Sequence, residues 1–442
     1  MKKSFSKGWV LSLFLLFGIG TQYRANAADV LQLTLDEALR IALADNPIVR
    51  VADQEIELKK VSAKEAWQQL LPTVDLNGSI NYTIKSPTMN LGGQKFKMGE
   101  DDSNTWSGVL NVNLPIYAPT VYRMMKMTKD DISLAAEKSR ASRLDLVNQV
   151  TKAYYQLMLS QDSYDVLLKS YEYSEKNYQV VKAKFEAGRV SEYDKISAEV
   201  QMRNLKPNVV AASNAVNLAK TQLKVLLGIS NPDLEVRVDD NLKNYEQRVN
   251  AHQPLQQVTL DKNTTLRQFD FNEKLLQRSL KIQKAAFIPT LALNFQYQYQ
   301  SLYNRNFEFW HYDWTPSSTL ALTLSVPIYR ASNFTKVKST RIQMQQLSEN
   351  RINTERQLNM QAQTYLDNMQ ACNEQMASNK ESVAQAEKGR LIAQKRYDVG
   401  RGTILELNSS EVALTQAELT YNQAIFDYLT AQSELQCLMG NE

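Results

Sequence analysis

The chain of 442 residues has little of what most chemistry needs. There are two cysteines, Cys372 and Cys437, with no CxxC spacing, and two histidines, His252 and His311. A disulfide scaffold and a metal cluster are both excluded by that count. No nucleophile–base set and no glycine-rich phosphate loop is present, so no enzyme, catalytic residue, cofactor or metal is expected. Beyond residue 27 no apolar run of about 18 residues occurs, which excludes a transmembrane helix. Glycine (14) and proline (11) are scarce, which predicts long helices with few breaks.

An excess of one charge is missing too. The formal +4 comes from residues 1–27, which hold Lys2, Lys3, Lys7 and Arg24 and no acid. With the apolar run Trp9–Ile19 and the Ala25-Asn26-Ala27 site, they read as a cleavable signal peptide. Without those four bases, 47 Lys and Arg face 47 Asp and Glu. A neutral, exported chain is expected, and nucleic acid is not a partner. No cysteine follows the cleavage site to carry a lipid.

What is present repeats. Pro115 and Pro327, each in Pro-Ile-Tyr, lie 212 residues apart, as do Gly188 and Gly400, and Gly228 and Gly440. Pro72 and Pro289 lie 217 apart, so a five-residue difference sits between the two prolines of each half. The chain is a tandem duplication. Its parts are the signal peptide 1–27, a first repeat 28–228, a polar equatorial linker 229–258 and a second repeat 259–442. Each repeat holds a helix, a strand hairpin (73–114 and 290–326) and a long helical hairpin (120–228 and 331–440).

After Pro72 apolar residues or glycine alternate strictly with polar ones from Thr73 to Ile84, a period-2 strand. Thr105–Leu114 and two segments of the second half repeat it. The polar faces carry Asn, Gln, Ser and Thr with almost no charge, as a water-filled lumen requires. The apolar faces end in Tyr82, Trp106, Tyr117, Tyr299 and Tyr329, as girdles at a membrane interface do. The aromatic loop Ser301–Ser318 is expected to pack on itself and on the girdle at the barrel rim.

The remainder reads as helix. Thr34-Leu35-Asp36-Glu37 is a capping box opening a helix over 39–70. From Val121 to Glu186 no proline or glycine occurs, and a seam stepping by three and four predicts a coiled coil roughly 100 Å long. Its counterpart runs from Asn333 to Val399 with Gly389 as an interruption, and Ser191–Leu227 is expected to break at Pro207. Cys372 and Cys437, offset on antiparallel helices, are expected to be free, buried thiols. Four strands cannot close a barrel, and lipid tolerates no open edge, so several copies must combine. Three copies give twelve strands, wide enough for a pore.

The ordered motifs resemble the TolC-like outer-membrane efflux protein family. They are Leu33-Thr34-Leu35-Asp36-Glu37-Ala38-Leu39-Arg40, Asn46-Pro47, Leu70-Leu71-Pro72, the two Pro-Ile-Tyr strand ends, and Tyr397-Asp398-Val399-Gly400 with Thr403-Ile404-Leu405-Glu406. The resemblance implies a mainly helical fold with a membrane β-barrel portion: a homotrimeric tunnel with twelve strands in the outer membrane of a Gram-negative bacterium. It implies a passive efflux duct for small molecules that docks to a periplasmic membrane-fusion adaptor and an inner-membrane pump, of the RND or ABC type.

The same resemblance implies a periplasmic gate of Glu406, Asp194, Tyr397 and Arg401, and an adaptor-contact tip of Gly188, Arg189, Gly400 and Arg401. Glu406 stands at the family's constricting acid, and Ser409 at the next one. Gly402 stands at the family's latch arginine, with Arg401 one position earlier. Read from the residues alone, the glycines are αL helix caps, and Asp194 and Glu406 are first-turn acids facing helix dipoles. A protein-secretion duct and a periplasmic coiled-coil scaffold without a pore are the competing readings.

Overall fold

The structure, a computed structural model, describes residues 30–229, 231, 234–245 and 258–441. The signal peptide, His252 and much of the 229–258 linker lie outside them. β1 (Val30–Gln32) leads into α1 (Leu35–Asp45), opened by the capping box. Thr34 Oγ1 accepts from the Glu37 N–H at 3.3 Å, and the Glu37 carboxylate accepts from the Thr34 N–H at 3.1 Å.

The helix expected over 39–70 is divided in two. Pro47 has no N–H and disfavours helical backbone before it. Asn46 leaves the helix at ψ 132° and caps α2 (Pro47–Gln68), its Oδ1 accepting from the Ile48 N–H at 2.8 Å.

Four more strands follow, β2 (Thr73–Thr83), β3 (Thr88–Leu91), β4 (Gln94–Lys97) and β5 (Ser103–Tyr117). β5 runs past Leu114, where the sequence pattern stops, through a bulge between Pro115 and Tyr117. An irregular position there accommodates a residue that cannot donate to the ladder. The helical hairpin α3 (Pro119–Glu186) and α4 (Glu192–Leu227) comes next, then the short β6 (Glu235–Arg237), parallel to β1.

The second half gives α5 (Thr264–Ala285), β7 (Thr290–Asn304), β8 (Thr315–Ser325), α6 (Ala331–Asp398) and α7 (Ile404–Met439). α3 and α6 are both 68 residues long, and α4 and α7 both 36, each pair 212 residues apart. Two expected interruptions are absent. α4 continues through Pro207 and α6 through Gly389. One proline costs about 3 kcal/mol and one glycine about 1 kcal/mol in a helix interior, which the packing of a long helix outweighs.

All four helical-hairpin ends close with an αL glycine. Arg189 N–H donates to Lys184 O and Arg401 N–H to Arg396 O, both at 2.8 Å, and the same six-residue bond recurs at Gly228 and Gly440. The duplication also copies a tertiary bond. Asn46 Nδ2 donates to Leu226 O at 2.6 Å, and Asn263, the cap of α5, donates to Leu438 O at 2.7 Å.

The apolar core lies midway along the helices. Leu146, Val150, Leu157 and Met158 of α3 are buried with Ala38 and Ala42 of α1, Leu223 and Leu227 of α4, and Ile425 of α7. Each large side chain so buried contributes roughly 1.5–3 kcal/mol. The seam of α3 passes through this cluster and supplies Leu146, Val150 and Leu157.

Candidate functional site

The sheet has the order β2-β5-β7-β8, all antiparallel, and β5–β7 joins the two repeats. Register carries one apolar face across it: Val74, Val112, Phe295 and Leu320 are successive cross-strand partners. Among the described residues little covers that face, and Leu76 and Leu320 are 78% and 68% exposed. The opposite face runs Asp75, Asn111, Gln296, Thr319, with Ser79 Oγ and Ser107 Oγ 2.8 Å apart. A greasy outer face and a wet inner one suit a barrel wall in lipid. The outer edges of β2 and β8 have no partner strand among the described residues.

The aromatic residues sort to the two ends. Tyr82, Trp106 and Tyr299 lie at one end and meet the loop after β7. Tyr299 stacks on Trp314 at 5.3 Å, and Trp106 meets Phe309 edge-on at 5.2 Å. Tyr117 and Tyr329 lie at the other end, beside Tyr122 and Phe334. The loop packs on itself and on Trp106, as its composition suggests.

The long helices end at a second constellation, some 100 Å from the sheet. The Gly188 and Gly400 turns have φ of 67° and 74°, and a Cβ on either would meet nothing within 4 Å. Arg189 and Arg401 follow them, and the Arg401 side chain is exposed and unpaired among the described residues. The two hairpins join here through Val181, Ala198, Tyr397, Ile404 and Leu407.

Asp194 and Glu406 have the same local position and different partners. Asp194 completes a capping box: its carboxylate accepts from Ser191 Oγ at 2.7 Å and from the Ser191 N–H at 3.2 Å. The Glu406 N–H donates to Thr403 Oγ1, which leaves its carboxylate to Arg396, 3.5 Å away. Arg396, and not Arg401, is therefore the cation at Glu406. Arg396 and Glu406 lie five residues either side of Arg401, so the hairpin brings them face to face, a spacing visible in the sequence.

Tyr397 is buried, with Lys184 Nζ 4.8 Å above its ring. Its hydroxyl has no hydrogen-bond partner among the described residues. Burial, then the nearby charges of Asp194 and Asp398, push its pKa up. The Tyr397–Asp194 pair is close without being bonded. At Gly402 an added Cβ would sit 3.1 Å from Tyr397 N, so the turn leaves little room for a larger residue.

One cluster has no contiguous motif in the sequence. Between α3, α6 and α7, Arg390 lies over the Tyr173 ring at 5.1 Å, with its Nε 3.9 Å from Glu411 Oε2. Tyr173 donates to Gln394, and Thr415 Oγ1 to Ser170 Oγ at 3.0 Å. Burial pushes the Glu411 carboxyl up, against the opposing pull of Arg390. Its signal was Arg390 and Glu411 placed about equally far from the Gly400 turn. Cys372 and Cys437 are free, as expected, but half-buried, not buried.

A family model described as "Outer membrane efflux protein" matches residues 38–229 and 255–441, most of both halves. The chain belongs to that family. It is 20% identical over 435 residues to the outer membrane protein TolC of Vibrio cholerae serotype O1, covering 98% of this chain and 95% of that one. It is 22% identical over 413 residues to the outer membrane protein TolC of Escherichia coli K12, covering 90% and 80%. The crystal structure of the Campylobacter jejuni CmeC outer membrane channel has the same fold, with a TM-score of 0.69 at 16% identity over 92% of this chain and 85% of that one. This member of the efflux family is thus a TolC-like outer-membrane channel protein, with a barrel sheet and a periplasmic helical tunnel. Among the described residues no helix is long and apolar enough to cross a membrane.

Proposed function

We propose that three copies of this chain form the exit duct of a tripartite efflux system. The duct is passive and non-catalytic. It passes drugs or other small molecules from a periplasmic adaptor and an inner-membrane pump, of the RND or ABC type, to the exterior. The observation that carries this reading is the four-stranded sheet with a wet inner face and two edges unpaired among the described residues, continued by helices about 100 Å long. Three such sheets supply twelve strands, enough for a water-filled barrel.

Under this reading the Gly188 and Gly400 turns are the surfaces that meet the adaptor, since no described residue lies within 4 Å of a Cβ added at either. Glu406 from three protomers forms a ring at the periplasmic end, held by Arg396. Asp194 stabilises α4 as its capping-box acid, and Tyr397 packs the hairpins together.

The test is crosslinking through the Gly188 and Gly400 turns in intact membranes, followed by purification of the adducts. A periplasmic adaptor is the expected partner, and trimers should give single-channel conductance in planar bilayers. A chain that stays monomeric and soluble without detergent would instead be a pore-less scaffold.

A further inference from the structure

Where the strands hand over to the helices, a cleft of about 420 Å³ opens between α3 and α5. Its walls carry four cations, Arg123 and Lys126 from α3, Arg278 and Lys281 from α5, together with Tyr117 and Tyr122. Tyr122 and Lys126 lie one turn apart on α3, and Arg278 and Lys281 three residues apart on α5, so each helix turns one face to the cleft. Among the described residues one of the four cations has a carboxylate partner: Arg278 Nε is 2.8 Å from Asp130. Among the described residues no carboxylate pairs with Arg123, Lys126 or Lys281. Cations gathered in one cleft favour an anionic ligand.

The register says where the cleft opens. Tyr117 is the cross-strand partner of Leu291, which in turn pairs with Leu324. Directly opposed residues point to the same face of a sheet. Tyr117 therefore ends the apolar, lipid-facing side of β5 and not the polar lumen side. β5 and β7, which feed the two walls, are also the inner strands of the sheet, so the cleft lies away from the edges that join neighbouring protomers. It sits just below the apolar band, with half-exposed tyrosines at its mouth.

From this placement we infer that each protomer binds the headgroup of an anionic phospholipid of the periplasmic leaflet. Lys126, Lys281 and Arg123 hold the phosphate, the tyrosines lie along the glycerol region, and the acyl chains run up the apolar face. A free phosphate would satisfy the cations but would leave the apolar band above the site unused. Basic groups at a membrane surface favour anionic lipid by roughly fivefold each.

The experiment is native mass spectrometry of the full-length trimer equilibrated with mixed micelles of phosphatidylglycerol and phosphatidylcholine. The wild-type trimer should retain phosphatidylglycerol in preference to phosphatidylcholine. Lys126→Gln/Lys281→Gln should lower that preference by roughly fivefold per lysine removed. Lys126→Arg/Lys281→Arg should keep it and so separate charge from folding. Arg305→Gln, an exposed arginine at the opposite end of the sheet, should also keep it. Equal retention of the two lipids by the wild type would overturn the inference. So would an unchanged preference in the glutamine variant, or full displacement of the lipid by millimolar inorganic phosphate.

Discussion

Gly440 and Gly188 share a backbone conformation and differ in what surrounds them. Both are αL caps, with φ of 72° and 67°. A Cβ at Gly440 would lie 2.1 Å from Lys262 O, inside van der Waals contact with backbone, while one at Gly188 would meet open space. Gly188→Ala should therefore carry only the αL cost, about 1–2 kcal/mol. Gly440→Ala adds a steric conflict that typically costs about 1–3 kcal/mol more. Thermal denaturation of the two variants should rank Gly440→Ala as clearly the more damaging. Equal losses would mean that the Lys262 backbone gives way.

Two acids of the tip region separate in the same manner. Glu406 and Arg396 are roughly half-exposed, so their pairing adds at most about 1 kcal/mol to stability. Glu406→Gln should leave the melting temperature nearly unchanged and weaken cation selectivity in bilayer conductance. Arg396→Gln, which releases the carboxylate, should strengthen it. An unaltered reversal potential in both variants would remove Glu406 from the conduction path.

Glu411 is buried, and its folded-state pKa is raised. The folded chain then binds more protons than the unfolded one from the ordinary carboxylate range upward. This group's contribution to stability is present in acid and lost as pH rises through that window. Glu411→Gln should thus gain on the wild type in melting temperature between pH 5 and pH 7.5. A pH-independent difference would show that Arg390 fully compensates the burial.

At the scale of elements, the duplication can be tested through its copied bond. Asn46 and Asn263 each cap a helix and tie it to the end of a returning helix, and both are buried. Loss of an N-cap costs about 1 kcal/mol, and a buried carbonyl left without its donor costs about 1–3 kcal/mol. Asn46→Ala and Asn263→Ala should each destabilise by roughly 2–4 kcal/mol and resemble one another, whereas exposed Thr34→Ala should cost about 1 kcal/mol. Chemical denaturation of the three variants checks the ranking.

The same elements explain what was legible beforehand. Long helices, period-2 strands and the 212-residue spacing are local patterns, so the sequence displayed them. The break at Asn46 was also local, in Asn-Pro, but the capping box upstream masked it. Pro207 and Gly389 look like breaks in the sequence because local propensity does not contain the packing that overrides it. The site divided differently. The tip glycines are properties of single residues. The choice of Arg396 over Arg401 depends on which side chains a hairpin sets opposite one another. The Arg390–Glu411–Tyr173 cluster needs three helices at once.

The whole molecule adds a constraint that no single helix or strand shows. Outside the bulges of β5 its sheet alternates lipid-facing and lumen-facing residues, and one substitution on each face tests the assignment. Leu320 lies at the middle of β8 on the apolar face, and its neighbour Thr319 on the polar one. An arginine facing lipid at the midplane costs about 2–4 kcal/mol, and one facing water in the lumen costs little. Leu320→Arg should sharply lower the yield of membrane-inserted trimer. Thr319→Arg should assemble normally and place three positive charges around the pore, which shifts its ion selectivity toward anions. Electrophoresis of unheated trimers reads the first outcome, and reversal potentials in asymmetric salt read the second. Because the two residues are adjacent, a strand slipped by one position would exchange the two phenotypes. The pair therefore tests register, sidedness and membrane placement together.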